Sequence, residues 1–150
     1  MDNHFSKKVL GYIVRKNIRK WELLVFEHQD IPDAGIQIPG GTVEDYDYDL
    51  SAALLREIKE ETGLEDVTVL TEILSEIYYH DIKKEFQERH FFIVTTSTKE
   101  DEWLYTVKSS GKDSDLKFNY YWEELHTVSQ LAGDQHIAIK HVLNFLEKNE

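Results

Sequence analysis

The sequence has no cysteine, two prolines and one methionine among its 150 residues. The missing thiols exclude disulfide staples, zinc–thiolate centres, iron–sulfur clusters and a cysteine nucleophile. No apolar run approaches the roughly 20 residues of a membrane-spanning helix. The polar start Met1-Asp2-Asn3-His4 does not read as a secretory signal. Positive charge is scarce as well: 17 Lys and Arg face 29 Asp and Glu, a formal net charge of −12. Long nucleic acid and anionic membranes both demand cations, so neither is an expected partner. There is no internal repeat, low-complexity tract or linker rich in Gly, Pro or Ser. What is present, 41% hydrophobic and 12% aromatic residues, suffices for a core. The expectation is one cytoplasmic domain over residues 1–150.

Apolar, β-branched and aromatic runs at 9–14 and 23–26 flank the basic stretch Arg15 to Lys20, which predicts an antiparallel strand pair. A loop, Asp30 to Gly35, and a short apolar stretch, Ile36-Gln37-Ile38, lead to Pro39-Gly40-Gly41, a strong turn signal. From Leu50 the period changes. Leu50, Leu54 and Ile58 recur at helical spacing, with Ala53 and Leu55 beside them. Asp49 suits the N-cap, Asp47 the first turn, and Gly63 the stop. Strands are predicted over 67–80 and 86–96 around a charged tip at 81–85, and again over 116–122. An amphipathic helix is predicted from Asp134. Strands outnumber helices without strict alternation, which indicates α+β or a mixed sandwich rather than a doubly wound sheet.

The informative stretch runs from Pro39 to Leu64. On a helix, Glu57, Glu60 and Glu61 fall at i, i+3 and i+4, so three carboxylates share one face. Arg56 and Lys59 are the local counter-charges, and Lys59 points away. A hard divalent cation, Mg²⁺ or Mn²⁺, resolves such repulsion and recruits phosphate oxygens as further ligands. The plain rival reading is a solvated acidic face. A calcium loop opening at Asp45-Tyr46-Asp47-Tyr48-Asp49 fails, because Leu50 and Arg56 stand where that loop needs Gly and Glu.

The segment Arg56-Glu57-Ile58-Lys59-Glu60-Glu61-Thr62-Gly63-Leu64 resembles, residue for residue, the second half of the signature of the Nudix (MutT-like) hydrolases, R-E-U-x-E-E-x-G-U with U apolar. Gly40-Gly41-Thr42-Val43-Glu44 is similar to the family's opening turn. The first half departs from the pattern. The family places Glu six residues after its glycine and Arg eight beyond; here the sixth residue after Gly41 is Asp47, and Arg56 lies nine further on. In the family that acid braces the Arg. Asp47 or Asp49 is expected to do so through a bulged loop.

The resemblance implies an α+β fold, an α/β/α sandwich with a mixed β-sheet and a loop–helix–loop signature. It implies Mg²⁺- or Mn²⁺-dependent hydrolysis of a nucleoside diphosphate linked to another group, a small-molecule partner rather than a polymer. Carried over by position, the metal ligands are Glu57, Glu60, Glu61 and the Gly40 carbonyl, with Arg56 orienting Glu57 and Glu60. Glu57 or Glu60 is a candidate general base. In other members the base lies on a distant loop, for which Glu85, Glu88, Glu100 and Glu102 are candidates. Members are often dimers, so a homodimer is among the expectations. A catalytically silent nucleotide-binding or sensor domain is the alternative, and a non-hydrolytic family enzyme a third option. Tyr78, Tyr79, Phe91 and Trp103 are candidates for base stacking or for core. His80 and His90 are expected near one hairpin, facing each other. Arg15, Arg19, Lys20, Lys83 and Lys84 are candidates for phosphate contact or edge solubility, and residues 102–107 extend the resemblance.

Overall fold

The structure, a computed structural model, describes residues 5–108 and 115–149. Seven strands form one mixed sheet: β1 (Phe5–Asn17), β2 (Lys20–His28), β3 (Gly40–Thr42), β4 (Val67–His80), β5 (Glu85–Thr96), β6 (Glu102–Thr106) and β7 (Lys117–Glu124). The order is β4-β5-β1-β2-β7-β6, with β3 paired to the first half of β1. Helices α1 (Leu50–Thr62) and α2 (Ile139–Lys148) cover opposite faces. This is the expected α+β sandwich.

β1 lies between partners on both sides, parallel to β5 and antiparallel to β2 and β3. A strand covered on both faces can be apolar throughout, which explains the unbroken run from Val9 to Val14. Side chains alternate across it. Leu10, Tyr12 and Val14 join the α2 core, while Val9 and Ile13 meet Ala53, Leu54 and Ile58 of α1. Burying these aliphatic side chains contributes roughly 1.5–3 kcal/mol each.

Local signals set the ends of α1. Asp49 accepts from the Ala52 amide at 2.8 Å, and Gly63, at φ +81°, closes the helix on the Lys59 carbonyl. Asp47 stays in the preceding loop rather than the first turn. Leu55 is exposed, so the buried stripe is narrower than the sequence suggests.

The C-terminal helix differs from expectation. Residues Ala132–Ala138 form a kinked 3₁₀ segment with Gly133 and Asp134 at φ +60° and +62°, and the α-helix starts at Ile139. Two successive left-handed residues cannot propagate a right-handed helix. The polar run between 107 and 116 falls mostly outside the described residues.

Candidate active site

The Pro39-Gly40-Gly41 turn becomes a strand because β1 receives it. Lys8, Val9 and Leu10 face Thr42, Gly41 and Gly40, and the Gly11 amide donates to the Pro39 carbonyl at 2.9 Å. Helix α1 passes over this strand and seats the Glu57 carboxylate directly on Gly41. A Cβ at that position would overlap the carboxylate, so backbone and acid approach as only glycine permits. At Gly40 a Cβ would meet the Val9 carbonyl.

Arg56 is the hub. Its Nε and Nη2 donate to the two oxygens of Asp47 at 2.9 and 2.8 Å. Nη1 reaches Glu57 at 2.9 Å and Glu60 at 3.3 Å, and Nη2 also donates to the Thr42 carbonyl at 3.0 Å. The Tyr46 ring lies over the guanidinium, 5.3 Å from its centroid. The loop folds back because Glu44 and Asp47 close a turn, the Glu44 amide donating to Asp47 Oδ2 at 2.8 Å. The loop with the extra residue thus bulges, and Asp47 reaches Arg56. Asp49 is engaged as the N-cap instead.

Glu61 turns the other way. Its Oε1 accepts from the Gly40 amide at 3.2 Å, and its carbonyl accepts from the buried Tyr120 hydroxyl at 2.8 Å. Because Arg56 and Gly40 draw the acids to different partners, no three His, Asp or Glu side chains among the described residues converge on one point. Burial raises the Glu57 carboxyl to about 7 against the opposing pull of Arg56. Asp47 is lowered, chiefly by its hydrogen bonds from Arg56, and Arg56 is raised by the same contact.

The NUDIX domain model matches residues 6–143, which includes both the turn and the helix. The chain belongs to the NUDIX domain family. Solved Nudix structures share its fold. A Caenorhabditis elegans Ap4A hydrolase binary complex superposes at a TM-score of 0.71 with 21% identity, covering 95% of this chain and 98% of that one. The NUDIX domain of Shewanella oneidensis NrtR, complexed with ADP ribose, gives 0.71 at 14% identity, covering 94% and 88%. A MutT NUDIX hydrolase from Burkholderia pseudomallei gives 0.66 at 20%, covering 92% and 98%. No curated protein sequence matches the chain. Family membership carries the enzyme class, a Nudix hydrolase acting on phosphoanhydride bonds.

Residues outside the Nudix signature sort by face and by end of the sheet. Glu102 lines a groove with Arg15, Asn17 and Trp122, and the Glu100 carbonyl accepts from Arg15 and from the Trp122 indole. Arg15 lies six residues along β1 from Val9, the strand partner of Gly41, about 20 Å at strand rise. Glu85 accepts from Ser6 and Gln87, while Glu88 pairs with Lys7 and His90. His90 and His80 do not face each other. His80 pairs in register with Glu85 and His90 with Ser75, and strand alternation puts the two rings on opposite faces. His90 instead bridges Glu72 and Glu88 at 2.6 Å each.

Of the aromatics, Phe91 is core. Trp103 stacks on Tyr120 and donates to the Thr62 carbonyl, supporting the end of α1. Tyr78 packs on Arg89, and Tyr79 lies against Phe86 at the surface. Lys20 pairs with Glu124 at the end of β2, between two inner strands of the sheet. The sequence did not single out Lys8, which donates to Thr42 at 2.5 Å, nor Arg89 and Gln135. Strand pairing and a contact between positions 38 and 135 bring them in, and no local pattern signals either.

Proposed function

We propose that this chain is a pyrophosphohydrolase that uses Mg²⁺ or Mn²⁺ to cleave a nucleoside diphosphate linked to another group. The observation that carries the reading is the Arg56 hub, which gathers Glu57 and Glu60 beside Gly41 while Glu61 lies on Gly40. The donors are all hard oxygens, the set that suits these ions. Glu57, Glu60, Glu61 and the Gly40 carbonyl would hold the metal. When bound, it would offset the charge of the pyrophosphate and acidify a water. Arg56 orients Glu57 and Glu60 through charge-assisted hydrogen bonds. Glu57 or Glu60 would supply the carboxylate that accepts the proton of the attacking water.

The Ap4A hydrolase and ADP-ribose-bound structures support a nucleotide-like small molecule as substrate class. No helix among the described residues is long and apolar enough to cross a membrane, and a cytoplasmic site of action is part of the proposal. The alternative is a silent binding domain; against it, Asp47 in the altered loop still braces Arg56.

The test is a panel of NTPs, oxidised dNTPs, ADP-ribose, dinucleoside polyphosphates and sugar nucleotides, assayed with Mg²⁺ and with Mn²⁺. Cleavage of at least one, abolished by chelator and nearly abolished in Glu60→Gln and Glu61→Gln, is the expected result. Undiminished turnover in both variants with chelator present would refute it.

A further inference from the structure

The segment from Ile36 to Gly40 is positioned by bonds from distant elements. The Ala132 amide donates to the Ile36 carbonyl at 2.8 Å, Gly11 to Pro39, and the Gly40 amide to Glu61. Between them the amide of buried Ile38 donates to Gln135 Oε1 at 2.8 Å. Gln135 lies on the 3₁₀ segment, whose backbone is itself pinned from the sheet. Tyr12 donates its hydroxyl proton to the Gln135 carbonyl at 2.5 Å and accepts from the Ala138 amide at 3.3 Å. Arg89 donates to the Gly133 carbonyl at 2.7 Å and the Asp134 carbonyl at 3.4 Å. Arg89 is in turn paired with Glu76 and stacked on Tyr78 at 4.0 Å. Gln135 therefore reaches from a rigid mount to the residue two before Gly40.

We infer that Gln135 is a positioning residue of the metal site, its amide oxygen holding the Ile38 amide and through it the turn that meets Glu57 and Glu61. The inference rests on the hydrolase reading above. A buried amide that loses its acceptor must move toward water or another partner. Ile38 cannot shift far without displacing Pro39 and Gly40, because the chain between them is two peptide units. That displacement takes Gly41 from beneath the Glu57 carboxylate and Gly40 from Glu61, so the backbone turn no longer lies against the two acids.

The experiment measures Mn²⁺ binding to the full chain by electron paramagnetic resonance and exchange of the Ile38 amide by NMR. Gln135→Leu keeps much of the side-chain volume and removes the acceptor. It is expected to weaken Mn²⁺ binding by about tenfold or more, as loss of an outer support does, and to speed Ile38 exchange. Gln135→Glu keeps an oxygen acceptor and is expected to bind Mn²⁺ nearly as the native chain does. If Gln135→Leu does not fold, Gln135→Asn, shorter by one methylene, is read in its place against the same rescue. Native Mn²⁺ affinity in the variant lacking the acceptor, or equal weakening in Gln135→Glu, overturns the inference alone. A native chain that binds no Mn²⁺ overturns the hydrolase reading together with it.

Discussion

Asp47 grips Arg56 through both carboxylate oxygens, at 2.9 and 2.8 Å, across a loop one residue longer than the Nudix pattern specifies. The added residue lengthens the path and the shorter acid retracts the carboxylate. The two departures offset each other. Arg56 is left with Nη1 for Glu57 and Glu60, so the bracing acid determines where the other two carboxylates sit.

Asp47→Asn should therefore lower the melting temperature by about 3–6 °C and reduce turnover, because Arg56 would compete more strongly for Glu57 and Glu60. Asp45→Asn, outside this network, is the control. The stability difference depends on pH with a definite sign. The native carboxyl of Asp47 is lowered, so its contribution is fully present above the unfolded value near 3.9. It is lost as pH falls through the still lower native value. Thermal unfolding of both chains from pH 7 to 2.5 should show a constant gap that closes only in strong acid.

The Glu57 carboxyl, raised to about 7 by burial, must lose its proton to bind a cation. Mn²⁺ affinity should strengthen by about fivefold between pH 6 and 7 and by about tenfold from pH 6 to 8, then level off. Isothermal titration in buffers of different ionisation enthalpy should show close to one proton released at pH 6 and much less at pH 8. A flat affinity across this range would remove Glu57 from the ligand set.

Gly41→Ala should separate stability from activity. The atoms nearest the added methyl are the carboxylate end of the Glu57 side chain and not backbone, so the fold should survive with a small change in melting temperature, while the carboxylate is displaced and turnover falls by about 10²-fold. Gly11→Ala, whose methyl would find Val94 and Leu54 at 3.4 and 3.5 Å, should retain turnover. Comparing kcat/KM and thermal unfolding of the two variants checks both outcomes.

Arg89 and Glu76 form an ion pair largely shielded from water. Glu76→Ala strands a charge and should cost about 3 kcal/mol or more, whereas the double replacement Glu76→Leu with Arg89→Met should recover only part of it, because the Gly133 and Asp134 carbonyls then lose their Arg89 donor. Denaturant unfolding of the single and double variants measures this directly.

The helix, its caps and the acidic triplet were legible because they are local: Asp49, Leu54, Ile58 and Gly63 each act within a turn or two of their neighbours. The strands of the first hairpin were legible for the same reason. What escaped detection depends on partners far along the chain. β3 is three residues long and exists because Lys8 to Leu10 lie beside it. The late start of α2 follows from left-handed Asp134, a conformation its residue type permits but does not announce. The opposite facing of His80 and His90 follows from strand register, which the hairpin tip alone does not determine.

The bond between Ile38 and Gln135 spans 97 positions, and the parallel pairing of Phe5 with Phe86 spans nearly as many. The acids of α1, Glu57, Glu60 and Glu61, are made well before Gln135, whose side chain bonds the turn beneath them. A nascent chain emerging from the ribosome thus carries its carboxylates long before it can arrange them. On the role inferred for Gln135, that arrangement waits for the segment from Ala132 to Ala138 to dock. Such closure over long separations also predicts slow folding for a domain of this size.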